Sequence, residues 1–94
     1  MNNTTYLKPI HDSAKSFYNK ATVKEDNKKY ILISYQTAIL QIDKATKKFK
    51  FLTTDKNHLT QTTLRHTKEF IKQFSNDFTP YIKKDFLKMI EGAQ

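Results

Sequence analysis

The chain reads as an α+β domain, a three-stranded antiparallel β-meander at about residues 21–53 covered on one face by two C-terminal helices at about 60–74 and 80–91. Two patterns predict this. Residues 21–52 are rich in β-branched and aromatic side chains interrupted by short polar turns, whereas from residue 60 onward apolar side chains recur at the three- and four-residue spacing of a helix. With strands first and helices afterwards, the helices are expected together on one face of the sheet.

Residues 1–12 are polar and then carry Leu7, Pro9 and Ile10, which predicts an extended arm docking on the core. Asp12 or Ser13 could cap a short helical turn through Ala14, Phe17 and Tyr18, and the same aromatics could equally lead into a strand. From Ala21 the pattern is β. Thr22-Val23-Lys24, the polar turn Glu25-Asp26-Asn27-Lys28 and the run Tyr30-Ile31-Leu32-Ile33-Ser34-Tyr35 form a hairpin signal. The run resumes as Ala38-Ile39-Leu40-Gln41-Ile42, breaks at residues 43–47, and returns as Phe49-Lys50-Phe51-Leu52. Because residues 30–42 exceed the usual strand length of about 5–6, a bend or bulge is expected near Tyr35-Gln36-Thr37. Phe49 and Phe51 flank Lys50 with period two, so one sheet face should be wet and basic.

A polar connector at residues 53–58 precedes the first helix. Thr60 suits its N-cap, and Leu59 and Leu64 occupy the two positions of a hydrophobic staple. Leu64, Thr67, Phe70, Ile71 and Phe74 fall within an arc of about 120° and should face the sheet. On an adjacent side, Arg65, Lys68 and Lys72 align into an outward basic stripe. Residues 75–79 form a break, Thr79 and Pro80 suit the cap and first position of a second helix, and Ile82, Phe86, Leu87, Met89 and Ile90 mark its apolar side before Gly92 ends it.

Ninety-four residues, 37 % of them hydrophobic, make one domain with a modest aromatic-rich core. Without cysteine there are no disulfides, zinc-thiolate sites or thiol nucleophiles, which fits a reducing cytoplasm. No stretch approaches the roughly 20 apolar residues of a membrane span, nor does the N-terminus have the order of a signal peptide, so a cytosolic location with no membrane partner is expected. One glycine leaves no phosphate-cradling loop. The net charge of +8 suggests an anionic partner, though it serves solubility equally well. Of the seventeen basic residues only Arg65 is arginine; the rest are lysines, which favours phosphate contacts over the forked reading of base edges.

No enzymatic constellation stands out. His11, His58 and His66 lie apart, without a second histidine or a carboxylate four residues away, so neither a metal nor another cofactor is expected. The nine acidic residues are dispersed among lysines rather than clustered as a metal-dependent nuclease requires. Thr62, Thr63, Arg65 and His66 at a helix N-terminus could cradle phosphate or a carboxylate. They read equally as structural, with Thr63 facing the core and His66 at the edge of the apolar arc beside Phe70. Tyr30 and Tyr35 could stack unpaired bases or simply pack across strands.

The segments Lys15-Ser16-Phe17-Tyr18, Ser34-Tyr35-Gln36-Thr37 and Thr60-Gln61-Thr62-Thr63-Leu64-Arg65-His66, followed by Phe70, resemble the K-S-F-Y, S-Y-x-T and S-x-T-T-x-R-H-I-x-x-F motifs of a family of small uncharacterised proteins encoded mainly by bacteriophages. The likeness covers about residues 14–74, with Thr60 in place of serine and Thr67 in place of isoleucine. It implies a phage accessory protein acting in the cytoplasm of a bacterial host, and implies no activity. The leading expectation is a non-enzymatic protein that binds DNA or RNA backbone through Lys48, Lys50, Arg65, Lys68 and Lys72, with Thr62 and His66 as further contacts. The alternative is an anti-CRISPR-like inhibitor of a host antiviral nucleoprotein acting by protein–protein binding, and a homodimer paired through a strand edge is a third possibility.

Overall fold

The computed structural model describes residues 3–92, so Met1 and Asn2 of the expected arm lie outside it. The fold is α+β with an antiparallel sheet and two α-helices, but the sheet has five strands rather than three: β1 (Asn3–Tyr6), β2 (Ala21–Glu25), β3 (Lys29–Ser34), β4 (Thr37–Asp43) and β5 (Phe49–Phe51). They lie side by side in chain order, every neighbouring pair antiparallel.

Two departures create the extra strands. The stretch 30–42 is not one bent strand but two, reversed by a two-residue turn at Tyr35 and Gln36, with Ser34 opposite Thr37. Tyr35 turns the chain by adopting a left-handed conformation, φ 58°. Customary turn residues at this position are Gly, Asn and Asp, so an uninterrupted run of β-formers conceals the reversal. The irregularity lies beyond the turn: the pairing jumps from Leu32–Leu40 to Ile33–Ala38, leaving Ile39 as the extra residue of a bulge. Ile39 and Leu40 are consequently both buried although adjacent. The second departure is β1, whose residues pair with β2 from Asn3 opposite Glu25 to Tyr6 opposite Thr22. All four are exposed, so no apolar alternation announces this strand.

Helix α1 (Gln61–Phe74) starts as its cap predicts, with Thr60 Oγ1 accepting from the Thr63 N–H at 3.2 Å. It lies across β3 and β4 and buries Leu64, Phe70 and Ile71. Its C-terminus is closed by Ser75, whose N–H donates to the Ile71 carbonyl, and then by Asn76 at φ 54°, where glycine is usual. Helix α2 (Lys83–Gly92) begins later than Thr79 and Pro80 suggest. Asp77 captures the Thr79 N–H and hydroxyl, holding that segment in a turn, and the Asp85 carboxylate reaches back to the Ile82 N–H at 2.9 Å, which makes Ile82 the cap. Ile82 is therefore 57 % exposed instead of lying on the apolar side. Phe86 and Ile90 are fully buried, and Phe86 packs against Phe51 and Tyr81, closing the β5 end of the core.

Between β1 and β2 the chain forms neither a helical turn nor a strand. Leu7 and Phe17 anchor this loop in the core, and Glu69 fixes its middle: the buried carboxylate Oε1 accepts the N–H groups of Ile10, His11 and Asp12 at 3.1, 2.8 and 2.9 Å. Among the described residues no helix is long and apolar enough to cross a membrane.

Candidate functional site

The pinned loop, the β3–β4 turn and the start of α1 converge on a cavity of about 570 Å³. From the loop come Lys15, Phe17, Tyr18 and Lys20; the turn gives Tyr35; α1 adds Thr62, Arg65 and His66. Three of its neighbours hold unusual backbones. Phe17 to Lys20 form a tight turn closed by Lys20 N–H donating to the Phe17 carbonyl at 2.9 Å, with both central residues at positive φ, Tyr18 at 52° and Asn19 at 60°. Tyr35, at φ 58°, faces this turn and donates its N–H to the Lys20 carbonyl at 2.6 Å. A bulky aromatic residue is rarely found in this region, where glycine or asparagine sits without strain. Two such tyrosines, Tyr18 and Tyr35, line one cavity and are 77 % and 54 % exposed. Backbone strain of this kind, about 1–3 kcal/mol per residue, concentrates at ligand-binding sites.

His66 is not the surface anion ligand that its place beside Arg65 suggests. It has no exposed surface. Nδ1 lies 2.9 Å from Ser34 Oγ, which in turn lies 2.8 Å from Thr63 Oγ1. The ring meets Phe17 edge-on with centroids 4.6 Å apart, and Tyr35 sits 6.2 Å away. Nε2 is buried with no hydrogen-bond partner. Burial and, secondarily, the Arg65 charge push the imidazole pKa below its ordinary value while Asp12 opposes them, so the ring is neutral at pH 7. Thr63 is buried as well, so of the four residues expected in a cradle Thr62 and Arg65 remain on the surface.

Arg65 is partly committed. Its Nε and Nη2 grip both oxygens of Asp12, the Nε contact being 3.1 Å, and this bidentate pair holds the Asp12 carboxyl below its usual range and the guanidinium above its own. The cavity still carries net positive charge, because Lys15 and Lys20 line it and neither forms a salt bridge among the described residues.

Lys68 and Lys72 follow Arg65 along α1 and border a separate groove with Phe78, Pro80 and Ile82. Arg65, Lys68 and Lys72 share one face of α1 at spacings of three and four, so the cavity, which Arg65 lines, and this groove adjoin along that helix face. Lys48 and Lys50 do not join them. Lys48 is exposed in the β4–β5 turn, and alternation along β5 points Lys50 away from the helix-covered face that receives Phe51. The expected single surface therefore divides, with Thr62, Arg65, Lys68 and Lys72 on the α1 side and Lys48 and Lys50 elsewhere. Tyr30 packs against Phe74 at 4.7 Å beneath Lys44 and is not a free aromatic.

Sequence reasoning missed Lys15, Tyr18 and Lys20 as site residues, since nothing in a periodicity shows a loop folding back across a sheet. Asn19, which tolerates positive φ, was the one local hint of a turn there. Among the described residues no cluster of three or more His, Asp or Glu side chains could hold a metal ion.

The model of a family of unknown function, DUF8033, matches residues 5–88. No curated protein and no solved structure matches.

Proposed function

Because the chain belongs to a family of unknown function, DUF8033, which brings no assigned chemistry with it, we propose a role read from its surface: a non-enzymatic protein that binds the phosphate backbone of single-stranded nucleic acid. The observation that carries this reading is the cavity flanked by two exposed, backbone-strained tyrosines and lined by Lys15, Lys20 and Arg65. Exposed rings beside lysines are the combination that holds single strands: bases stack on the aromatics and phosphates meet the cations, with little dependence on sequence. Lys68 and Lys72 extend the charge along α1 by about 10 Å from Arg65, at 1.5 Å rise per residue. The likeness to phage-encoded proteins adds a setting, the cytoplasm of an infected bacterium, where single strands arise during replication and in RNA-guided defence.

Electrophoretic mobility shift at low salt, with single-stranded and duplex DNA and RNA of the same sequence, tests the reading. Single strands should be retarded by the wild type and released by Lys15→Glu with Lys20→Glu. Equal retardation by the doubly reversed variant removes the cavity from the interface.

A specific feature favours a second reading, binding to an acidic protein such as a component of a host defence nucleoprotein. Phe78 and Ile82 are 54 % and 57 % exposed and lie with Lys68 and Lys72 in one groove. Exposed apolar side chains grouped within a polar rim are typical of protein contact sites. Under that reading Phe78→Ser abolishes capture of one host protein and leaves nucleic-acid binding untouched.

A further inference from the structure

Within this side of the molecule the cavity has a property that phosphate contacts do not use. His66 is fully buried and lines the cavity, and its Nε2 has no hydrogen-bond partner. A buried polar atom in this state costs free energy, and native chains retain few of them without a purpose. Its other nitrogen engages the Ser34 hydroxyl, which is bonded in turn to that of Thr63, and hydroxyl protons can rotate, so the ring can present at Nε2 either an N–H or a lone pair. That suits the edge of a nucleobase, which offers both donors and acceptors. Phe17 and Tyr35 place aromatic surface beside the same ring, the exposed Tyr18 also lines the cavity, and Lys15, Lys20 and Arg65 supply cations. The volume, about 570 Å³, falls within the roughly 300–1,000 Å³ of small-molecule sites.

We infer that the cavity is a binding site for one nucleoside monophosphate unit, its base stacked on the exposed rings of Tyr35 and Tyr18 with an edge on His66 Nε2 and its phosphate held by Lys15, Lys20 and Arg65. The unit is either a free nucleotide or one residue of a single strand. Since His66 has no exposed surface, entry of the base includes a swing of the exposed Tyr35 ring away from the imidazole. This deepens the nucleic-acid reading and rests on it, but concerns a single pocket rather than the charged track along α1. It also gives the left-handed tyrosines a purpose, since glycine at either position would relieve the backbone and remove the ring.

The test follows the His66 ring nitrogens by NMR in the full chain during titration with uridine monophosphate, adenosine monophosphate, inorganic phosphate and a short single-stranded oligonucleotide. A saturable change at Nε2 with a mononucleotide assigns the site to free nucleotides; a change with the oligonucleotide alone assigns it to a strand, and both support the pocket. Tyr18→Gly and Tyr35→Gly should keep or raise the thermal midpoint, because positive φ suits glycine, yet weaken the ligand that binds by about tenfold through lost stacking. Three results overturn the proposal: no change at Nε2 with any nucleotide, an equal change with inorganic phosphate, or undiminished affinity in both glycine variants. Failure of the nucleic-acid reading is a different observation, the absence of salt-sensitive binding to long single strands by the wild type.

Discussion

Glu69 does more to shape the site than any residue that touches it. Three successive backbone N–H groups, those of Ile10, His11 and Asp12, converge on its Oε1, while Gln73 Nε2 bonds Oε2 and the Lys8 carbonyl. This ties the loop that carries Lys15, Phe17 and Tyr18 to α1. Glu69→Ala leaves three part-buried donors without their acceptor and should cost about 1–3 kcal/mol in urea unfolding. A loss under about 1 kcal/mol would show the loop to be held by Leu7 and Phe17 alone. No sequence pattern exposes such a group: a glutamate four residues before Gln73 reads as part of a solvated helix face, and its burial depends on a loop that arrives from 57 to 59 residues away. His66 gives the second residue-scale expectation. Its pKa is depressed by burial first and by Arg65 second, so the folded chain resists a proton that the unfolded chain accepts near pH 6.5. Its contribution to stability is complete above that pH and declines as the pH falls through and below it. Thermal midpoints should therefore drop between about pH 7.5 and about pH 5.5, and His66→Gln should flatten the drop. The lowered pKa of Asp12, caused mainly by its bond to Arg65, adds a separate loss in a lower window, beneath pH 3.8.

At the scale of elements, legibility followed from how much of an element's identity is local. Helix α1 carries its own start signal in Thr60 and a repeating apolar face, and both match the structure. Phe70 is fully buried on that face, so Phe70→Ala should cost about 3–5 kcal/mol in denaturant unfolding. A mutant as stable as the parent would contradict the packing of α1 on β3 and β4. Strands β2, β3 and β5 were legible in the same way, from β-branched and aromatic side chains set off by polar turns. The β3–β4 reversal was not, because Tyr35 and Gln36 carry no turn chemistry and the chain buys the turn with a strained tyrosine. Nor was β1, since Asn3–Tyr6 gains its place from backbone pairing with β2 and has no buried side chain. For α2 the competing signal was Asp77, whose bonds to Thr79 hold Pro80 out of the helix and shift its start to Lys83.

For the whole molecule, electrostatics governs the proposed binding. Lys15, Lys20 and Arg65 line the cavity, Lys68 and Lys72 border the groove that follows Arg65 along α1, and Lys48 and Lys50 lie apart from both. Composition made the excess of cations plain; which of them act together depends on the loop pinned by Glu69 and on the facing of α1. Lys68→Glu with Lys72→Glu should weaken binding strongly yet leave the thermal midpoint within a few degrees, because exposed or half-exposed charges away from the core change stability by about 0.5 kcal/mol or less. The corresponding pair Lys48→Glu and Lys50→Glu should have the smaller effect on affinity. The claim is tested most directly by fluorescence anisotropy of a labelled single strand titrated with the wild-type chain over about 50 to 300 mM salt. Five cations acting on a single strand predict that log affinity falls against log salt with a slope of about −3.5, each phosphate contact adding about −0.7. No binding at the lowest salt, or an affinity indifferent to salt, would rule out phosphate-backbone binding and leave a protein partner at Phe78 and Ile82.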